Sequence, residues 1–320
     1  MVKHMETMRT NQRRPWLAGL LNLISPGLGQ LYALRPLRAI AAFAASLIAL
    51  EVIVLPAWVG AGRAVFVVGM AFAIAIFVAI ITDAVLLAKR VSPAAVRPWY
   101  DRWYVYVALW LLVAIGLRAP LRTLIRDRWI EAFRVPSAAM MSTIEPGDFF
   151  YVVKGRSAPG ALQRGDVIAY RSVTEPRLKV LGRILGIPGD TVTMRDGQLA
   201  RNGELVREPY MQLAEPQRVD DAASLARMRA WQLAAFAGTS SEPYTPDRRT
   251  WGPLAIPDGA FFVLGDNRDN AYDSRYWGFV PADHVYGRIG TIYFSYDPAS
   301  PRSLPFLTAV RWGRIGSTPQ

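Results

Sequence analysis

The chain has 320 residues, enough for two domains, and 52% of them are hydrophobic, with a mean hydropathy of +0.17, both high for a water-soluble protein. Its net charge is +12, but residues 1–128 hold 15 Lys and Arg against 5 Asp and Glu while the remainder holds 22 against 20; cations concentrated among apolar segments flank membrane spans and argue against nucleic acid as a partner. There is no cysteine, which excludes disulfides and thiolate metal sites, and His4 and His284 are too far apart in sequence to suggest a metal cluster.

Residues 1–15 read as a basic cytoplasmic leader. Trp16–Leu34 is apolar but broken by Ser25-Pro26-Gly27-Leu28-Gly29, which suggests a helical hairpin or a re-entrant piece, the segment being re-entrant or spanning. Cleaner spans follow at about 39–56, 64–88 and 103–117, so that 16–128 is a polytopic membrane anchor in the lipid bilayer. No A-x-A-like site ends a single short apolar run, which argues against a cleavable signal peptide. If the leader (Lys3, Arg9, Arg13, Arg14) and Arg35 and Arg38 face the cytoplasm, Trp16–Leu34 does not cross, 57–63 lies outside, 89–102 inside, and everything after Leu117 outside. Arg118, Arg122, Arg126 and Arg128 run against that assignment; residues 119–131 could instead lie flat on the membrane surface. Glu51 and Asp83 are acids near the ends of spans, where a helix–helix contact competes with a functional role.

From about Trp129 the apolar runs become short and β-rich: Phe149–Val153, Asp166–Tyr170, Val180–Leu185, Thr191–Met194, Ala260–Leu264 and Gly290–Tyr296. Gly, Pro, Asn and Asp punctuate them, as in an antiparallel, mostly β domain over 129–320. Residues 213–250 read as an insertion with a helix over Ala222–Ala237. The polar stretch Gly265–Pro281 directly follows the apolar run Ala260–Leu264, and is either a tight structural knot or the wall of a site.

Three segments carry a resemblance. Arg134-Val135-Pro136-Ser137-Ala138-Ala139-Met140-Met141-Ser142-Thr143-Ile144-Glu145-Pro146-Gly147-Asp148 resembles P-S-x-S-M-x-P-T-L-x-x-G-D. Gly182-Arg183-Ile184-Leu185-Gly186-Ile187-Pro188-Gly189-Asp190 resembles K-R-V-I-G-L-P-G-D. Gly265-Asp266-Asn267-Arg268-Asp269-Asn270-Ala271-Tyr272-Asp273-Ser274-Arg275 and the residues to Pro281 resemble G-D-N-R-D-N-S-x-D-S-R-x-W-G-F-V-P. In this order, behind membrane spans, they are similar to bacterial type I signal peptidases over about residues 129–296. The resemblance implies an α-helical membrane anchor plus a mostly antiparallel β extracytoplasmic domain, in the bacterial cytoplasmic membrane with the β domain on the external side. It also implies removal of signal peptides by a Ser–Lys dyad without a cofactor. Such a dyad needs a serine oxygen beside a lysine kept unprotonated by apolar burial, and donors for the developing oxyanion.

Residue by residue, the family's nucleophile falls on Ala139, its general base on Gly182, and the serine that orients the base on Ala271; the motif proline becomes Ser142. Ser137 matches the serine that supports the oxyanion hole, and Asp273 and Arg275 match the acid–base pair behind the site. Met140, Arg183, Gly265, Asp266, Asn267 and Ser274 complete the matching surroundings. The catalytic side chains are thus lost together, which avoids an orphaned polar group. Substitutes are conceivable in Ser137, Ser142 and Lys179, although Lys179 lies three residues before Gly182 and on a regular strand faces the other way; a Ser137–Lys179 dyad would need a bulge. Met140, Met141, Phe149 and Phe150 are expected to form an apolar lip, unless the phenylalanines are simply alternating core and edge residues.

Three functions remain open: a non-catalytic pseudoenzyme binding signal peptides or other extended segments, with the secretion machinery as an expected partner; an active serine endopeptidase with a rearranged dyad; and a structural scaffold.

Overall fold

Proline sets the first turn of two helices in the amino-terminal part of the chain, α1 (Pro15–Ile24) and α3 (Pro36–Val59), where its missing N–H costs nothing. The structure, a computed structural model, describes residues 13–59, 62–135, 137–154, 162–211, 220–239 and 243–319. Lys3, His4 and Arg9 of the leader, Pro136, and residues 212–219 and 240–242 of the insertion lie outside them. The chain divides into two units, one ending at Leu124 and one beginning at Ile125.

In the first unit α1 is followed at once by α2 (Leu28–Tyr32). Buried Asn22 holds the turn between them. Its Oδ1 accepts from the N–H groups of Gly27 (2.9 Å) and Gly29 (3.1 Å), and its Nδ2 donates to the Ile80 carbonyl (3.2 Å) on α4 (Arg63–Lys89). The Arg14 N–H donates to the Tyr32 hydroxyl at 3.0 Å, so the two ends of the segment meet: it is a helical hairpin. Asp83 pairs with Arg38 of α3 at 2.6 Å and accepts from Gln30 Nε2 at 3.3 Å, which gives it the helix–helix role. Among the described residues three helices are long and apolar enough to cross a membrane, with windows at Pro36–Ile53, Arg63–Lys89 and Trp103–Arg128. The last runs past the expected end at Leu117. It consists of α5 (Trp103–Leu111), a π-helical stretch Leu112–Arg118 and α6 (Ala119–Arg128). Residues 119–128 therefore continue the helix, and the first strand opens at Ile130.

The second unit is antiparallel throughout. Its larger sheet is ordered β1-β2-β11-β3-β4-β9-β10, with β1 at Ile130–Arg134, β2 at Asp148–Val153, β3 at Val167–Arg171, β4 at Lys179–Gly186, β9 at Ala260–Leu264, β10 at Val280–Pro281 and β11 at Val285–Ser295. A four-stranded sheet is ordered β7-β6-β5-β8: β5 at Thr191–Arg195, β6 at Gln198–Arg201, β7 at Glu204–Leu205, β8 at Trp251–Ala255. All six expected strands are present. Of the larger sheet, β1 and the two-residue β10, and of the smaller sheet β6–β8, are not visible as apolar runs, being short or carrying polar residues at alternating or edge positions. Met140, Ile144, Phe150, Val152 and Ile289 fill one core; Trp251, Phe262, Leu264 and Met194 fill another between the sheets.

The insertion forms α7 (Ala222–Ala234), capped by Asp221, whose Oδ1 accepts the Ser224 N–H at 2.6 Å. It stops short of the expected Ala237 because Phe236 bridges to Leu254 and the Ala237 N–H donates to the Pro253 carbonyl. The tail after β11 folds back: Arg314 pairs with Asp148 at 2.5 Å and donates to the Thr143 carbonyl at 3.0 Å, fixing the end of the first motif.

Candidate functional site

The turn after β9 gathers the three motif segments. Asn267 holds the first of them by two bonds: its N–H donates to the Ala139 carbonyl (3.1 Å) and its Nδ2 to the Ala138 carbonyl (3.0 Å). Gly265 is pressed between Ala139 and Ala271. A Cβ at 265 would lie 2.4 Å from the Ala271 Cβ and 2.6 Å from the Ala139 oxygen, which only glycine permits. One residue earlier, the Leu264 carbonyl faces Gly182, at 3.2 Å from where a Cβ there would be. Positions 139, 182 and 271 thus converge on Leu264–Gly265.

Gly182 has little room for a side chain. Its Cβ would meet Val263 Cγ1 at 2.5 Å and the Tyr170 ring at 3.5 Å. Tyr170 is buried; burial, and then the Asp273 carboxylate, push its phenol far above the ordinary tyrosine range, so it stays protonated.

Behind this centre stand two buried ion pairs. Asp273 caps the short helix α8 (Ser274–Trp277) and accepts the Gly265 N–H at 3.0 Å. Arg275 binds it with Nε at 2.8 Å and Nη2 at 2.9 Å, and donates to the carbonyls of Arg268 (2.7 Å) and Arg248 (3.1 Å). Ser274 Oγ accepts the Val263 N–H at 3.1 Å. Arg183 grips Asp266 through Nε (2.9 Å) and Nη2 (2.7 Å) and lies 3.7 Å from the centroid of the Tyr210 ring. The wall is both knot and site: the side chains of Asp266, Asn267, Arg268, Asp269, Asp273, Ser274 and Arg275 are all bonded, as their burial demands, while the Trp277 indole N–H is buried without a partner among the described residues.

Four neighbours were not legible in the motifs. Tyr210 covers Arg183, Glu208 pairs with Arg268 at 2.5 Å, and Trp231 and Gln232 of α7 each donate to the Arg275 carbonyl at 3.0 Å. The insertion therefore props the Asp273–Arg275 pair.

The residues named as possible substitutes lie in separate surroundings. Ser137 is exposed. Ser142 Oγ donates to the Tyr210 carbonyl at 2.7 Å. Lys179 and Leu181 alternate onto the opposite face from Gly182: Leu181 joins the core beside Phe133 and Tyr286, and Lys179 Nζ sits over both rings and 2.8 Å from Glu131 Oε1. Glu131 also pairs with Lys154 at 2.6 Å. Burial opposes its charge, but the two ammonium groups outweigh burial and hold its carboxyl below the usual range. The apolar lip is corrected by half. Met140, in the turn before β2, and Phe150, on an inward position of the alternating strand, are buried in the core, while Met141 is exposed and Phe149 half-buried.

The sequence is similar to known proteins. Residues 103–294 match the family described as signal peptidase, peptidase S26. Signal peptidase I of Pseudomonas aeruginosa is 33% identical over 58% of this chain and 72% of its own length. Signal peptidase I T of Bacillus subtilis is 31% identical over 58% of this chain and 84% of its own. A crystal structure of a signal peptidase I from Enterococcus faecalis is 31% identical, covering 40% of this chain and 95% of its own, with a TM-score of 0.26.

Proposed function

The chain belongs to the signal peptidase family, peptidase S26, and from that premise we propose that it is a non-catalytic member which binds signal-peptide-like or other extended polypeptide segments. The observation that carries the reading is the convergence of Ala139, Gly182 and Ala271 on Leu264–Gly265, with Val263 and Tyr170 in the space a catalytic lysine would need. A serine without an adjacent base is a poor nucleophile, and a protonated phenol cannot act as one. Lys179 is engaged by Glu131 and Ser142 by Tyr210, which speaks against a rearranged dyad. The surrounding ion pairs are retained, so the site keeps its shape while lacking its chemistry. Extended-strand binding draws on backbone hydrogen bonds and needs no nucleophile.

The protein is proposed to sit in the bacterial cytoplasmic membrane with several spans and its β domain outside, where exported segments and the secretion machinery would be its partners. The three long apolar helices support this, and the meeting of Arg14 with Tyr32 supports a hairpin that enters and leaves on one side.

The test uses purified full-length protein in detergent with a preprotein. No processing is expected, and Ser137→Ala and Ser142→Ala should change nothing. Processing that disappears in either variant would overturn the non-catalytic reading. A photoreactive extended peptide should crosslink near Ser137–Met141 and Lys179–Gly182; crosslinks nowhere in the β domain would leave a structural scaffold as the better description.

A further inference from the structure

Two of the strand edges left open among the described residues bring side chains together. β1 ends the larger sheet and, among the described residues, pairs only with β2. β4 pairs with β3 over Lys179–Arg183 but with β9 only from Arg183 onward, so among the described residues the second edge of Lys179–Gly182 has no strand partner. Side chains from these edges meet at Glu131 and Lys179. The Glu131 carboxylate, nearly buried, faces three cations: Lys154 Nζ at 2.6 Å, Lys179 Nζ at 2.8 Å and Arg126 Nε at 3.6 Å. Three cations thus face one carboxylate, beside edges able to take an extended chain. Lys179 is further held over the rings of Phe133 (4.8 Å) and Tyr286 (4.6 Å), which fixes its ammonium rather than leaving it to wander in solvent.

We propose that this cluster takes an acidic side chain, Asp or Glu, of an extended peptide that adds to one of the two open edges. The inference rests on the peptide-binding reading above and narrows its ligand. Export signals are built from a basic region, an apolar stretch and small residues at the cleavage site. A groove with surplus ammonium groups favours instead a segment with a carboxylate, through a charge-assisted hydrogen bond in partly dry surroundings. Backbone pairing supplies affinity; the cluster supplies the choice among side chains.

The experiment uses full-length protein in zwitterionic detergent and fluorescent extended peptides that differ at one scanned position by Glu, Gln or Lys. At one position Glu should bind about tenfold more tightly than Gln, with Lys weaker still, as expected for one charge-assisted bond. Lys179→Met should abolish the preference, with an unchanged urea midpoint reporting that the variant is folded; Lys179→Arg should keep it. Glu131→Gln should strengthen binding of the Glu peptide, because it removes the competing carboxylate. Equal binding of Glu and Gln at every position, or weaker binding of the Glu peptide to Glu131→Gln, overturns the inference and leaves peptide binding intact. Absence of binding by any peptide defeats both. If anionic phospholipid added to the micelles erases the Glu preference, the cluster is a headgroup site and the inference fails.

Discussion

Val263 Cγ1 lies 2.5 Å from the point where a side chain on Gly182 would begin. Real Cβ contacts do not come so close, and a β-branched valine in a fully buried strand cannot swing aside freely. The two residues belong to neighbouring strands, β4 and β9. Gly182→Ala should therefore destabilise the β domain by about 1–3 kcal/mol through overpacking. Val263→Ala opens the space, so the double variant should be more stable than the sum of the single losses predicts. Urea unfolding followed by tryptophan fluorescence in detergent measures the cycle; strictly additive losses would show that the contact is relieved some other way.

The same contact bears on rebuilding the activity. Ala139→Ser, Gly182→Lys and Ala271→Ser together restore the family's side chains, and Asp273, Arg275, Arg183 and Asp266 already stand around them. The new lysine would still strike Val263. The triple variant should cleave a preprotein barely above background, and Val263→Ala added to it should raise cleavage by at least about tenfold, roughly 1.4 kcal/mol of barrier. The apolar wall of Val263 and Tyr170 would then help keep the lysine neutral. Efficient cleavage by the triple variant alone would show that β9 yields.

These relationships mark how far the sequence could be read. Strands with uninterrupted apolar residues, such as Ala260–Leu264, announce themselves; β1 does not, because Glu131 and Arg134 interrupt it and its partner β2 lies across the first motif. The roles of Asp273 and Arg275 followed from a long motif. Val263 and Tyr170 could not be picked out, since each is an ordinary core residue whose meaning depends on the glycine across the sheet. Alternation did place Lys179 opposite Gly182, and it separates Phe150 in the core from Phe149 at the edge; the burial of Met140, in a turn, arises from tertiary contact. The insertion was legible as a helix through its alanines, but its bonds to the Arg275 carbonyl arise from tertiary contact alone.

Removing one member of the Asp273–Arg275 pair should be severe. Both side chains are almost wholly buried, and Asp273 also holds the Gly265 N–H while Arg275 satisfies two carbonyls. Arg275→Met leaves a buried carboxylate and strips those carbonyls of their donor, at a cost of about 3–5 kcal/mol. Trp231→Phe, which removes one of the donors to the Arg275 carbonyl but leaves Gln232, should cost only about 1 kcal/mol. Denaturant midpoints of the two variants give the ranking, and a Trp231 loss as large as that of Arg275 would mean that α7 itself, rather than the ion pair, holds the wall.

Asp190, the last residue of the second motif, sets a pH dependence. Burial opposes its ionised form, but Arg164 binds both oxygens (2.6 and 2.8 Å), and the Ile187 N–H (3.0 Å) and Asn202 Nδ2 (2.8 Å) add to it, so the carboxyl is held at about 2 against an ordinary 3.8. A depressed carboxyl favours the folded state wherever the unfolded chain is already ionised. Its contribution is complete above about pH 5 and is lost as pH falls through 3.8 toward 2, because the unfolded chain takes up the proton first. The shift corresponds to about 2 kcal/mol. Asp190→Asn lacks this term at every pH. The stability gap between the native chain and this variant should therefore narrow by about 2 kcal/mol between pH 6 and pH 2, read from urea unfolding at both values. A gap that stays constant would place the role of Asp190 in geometry rather than charge.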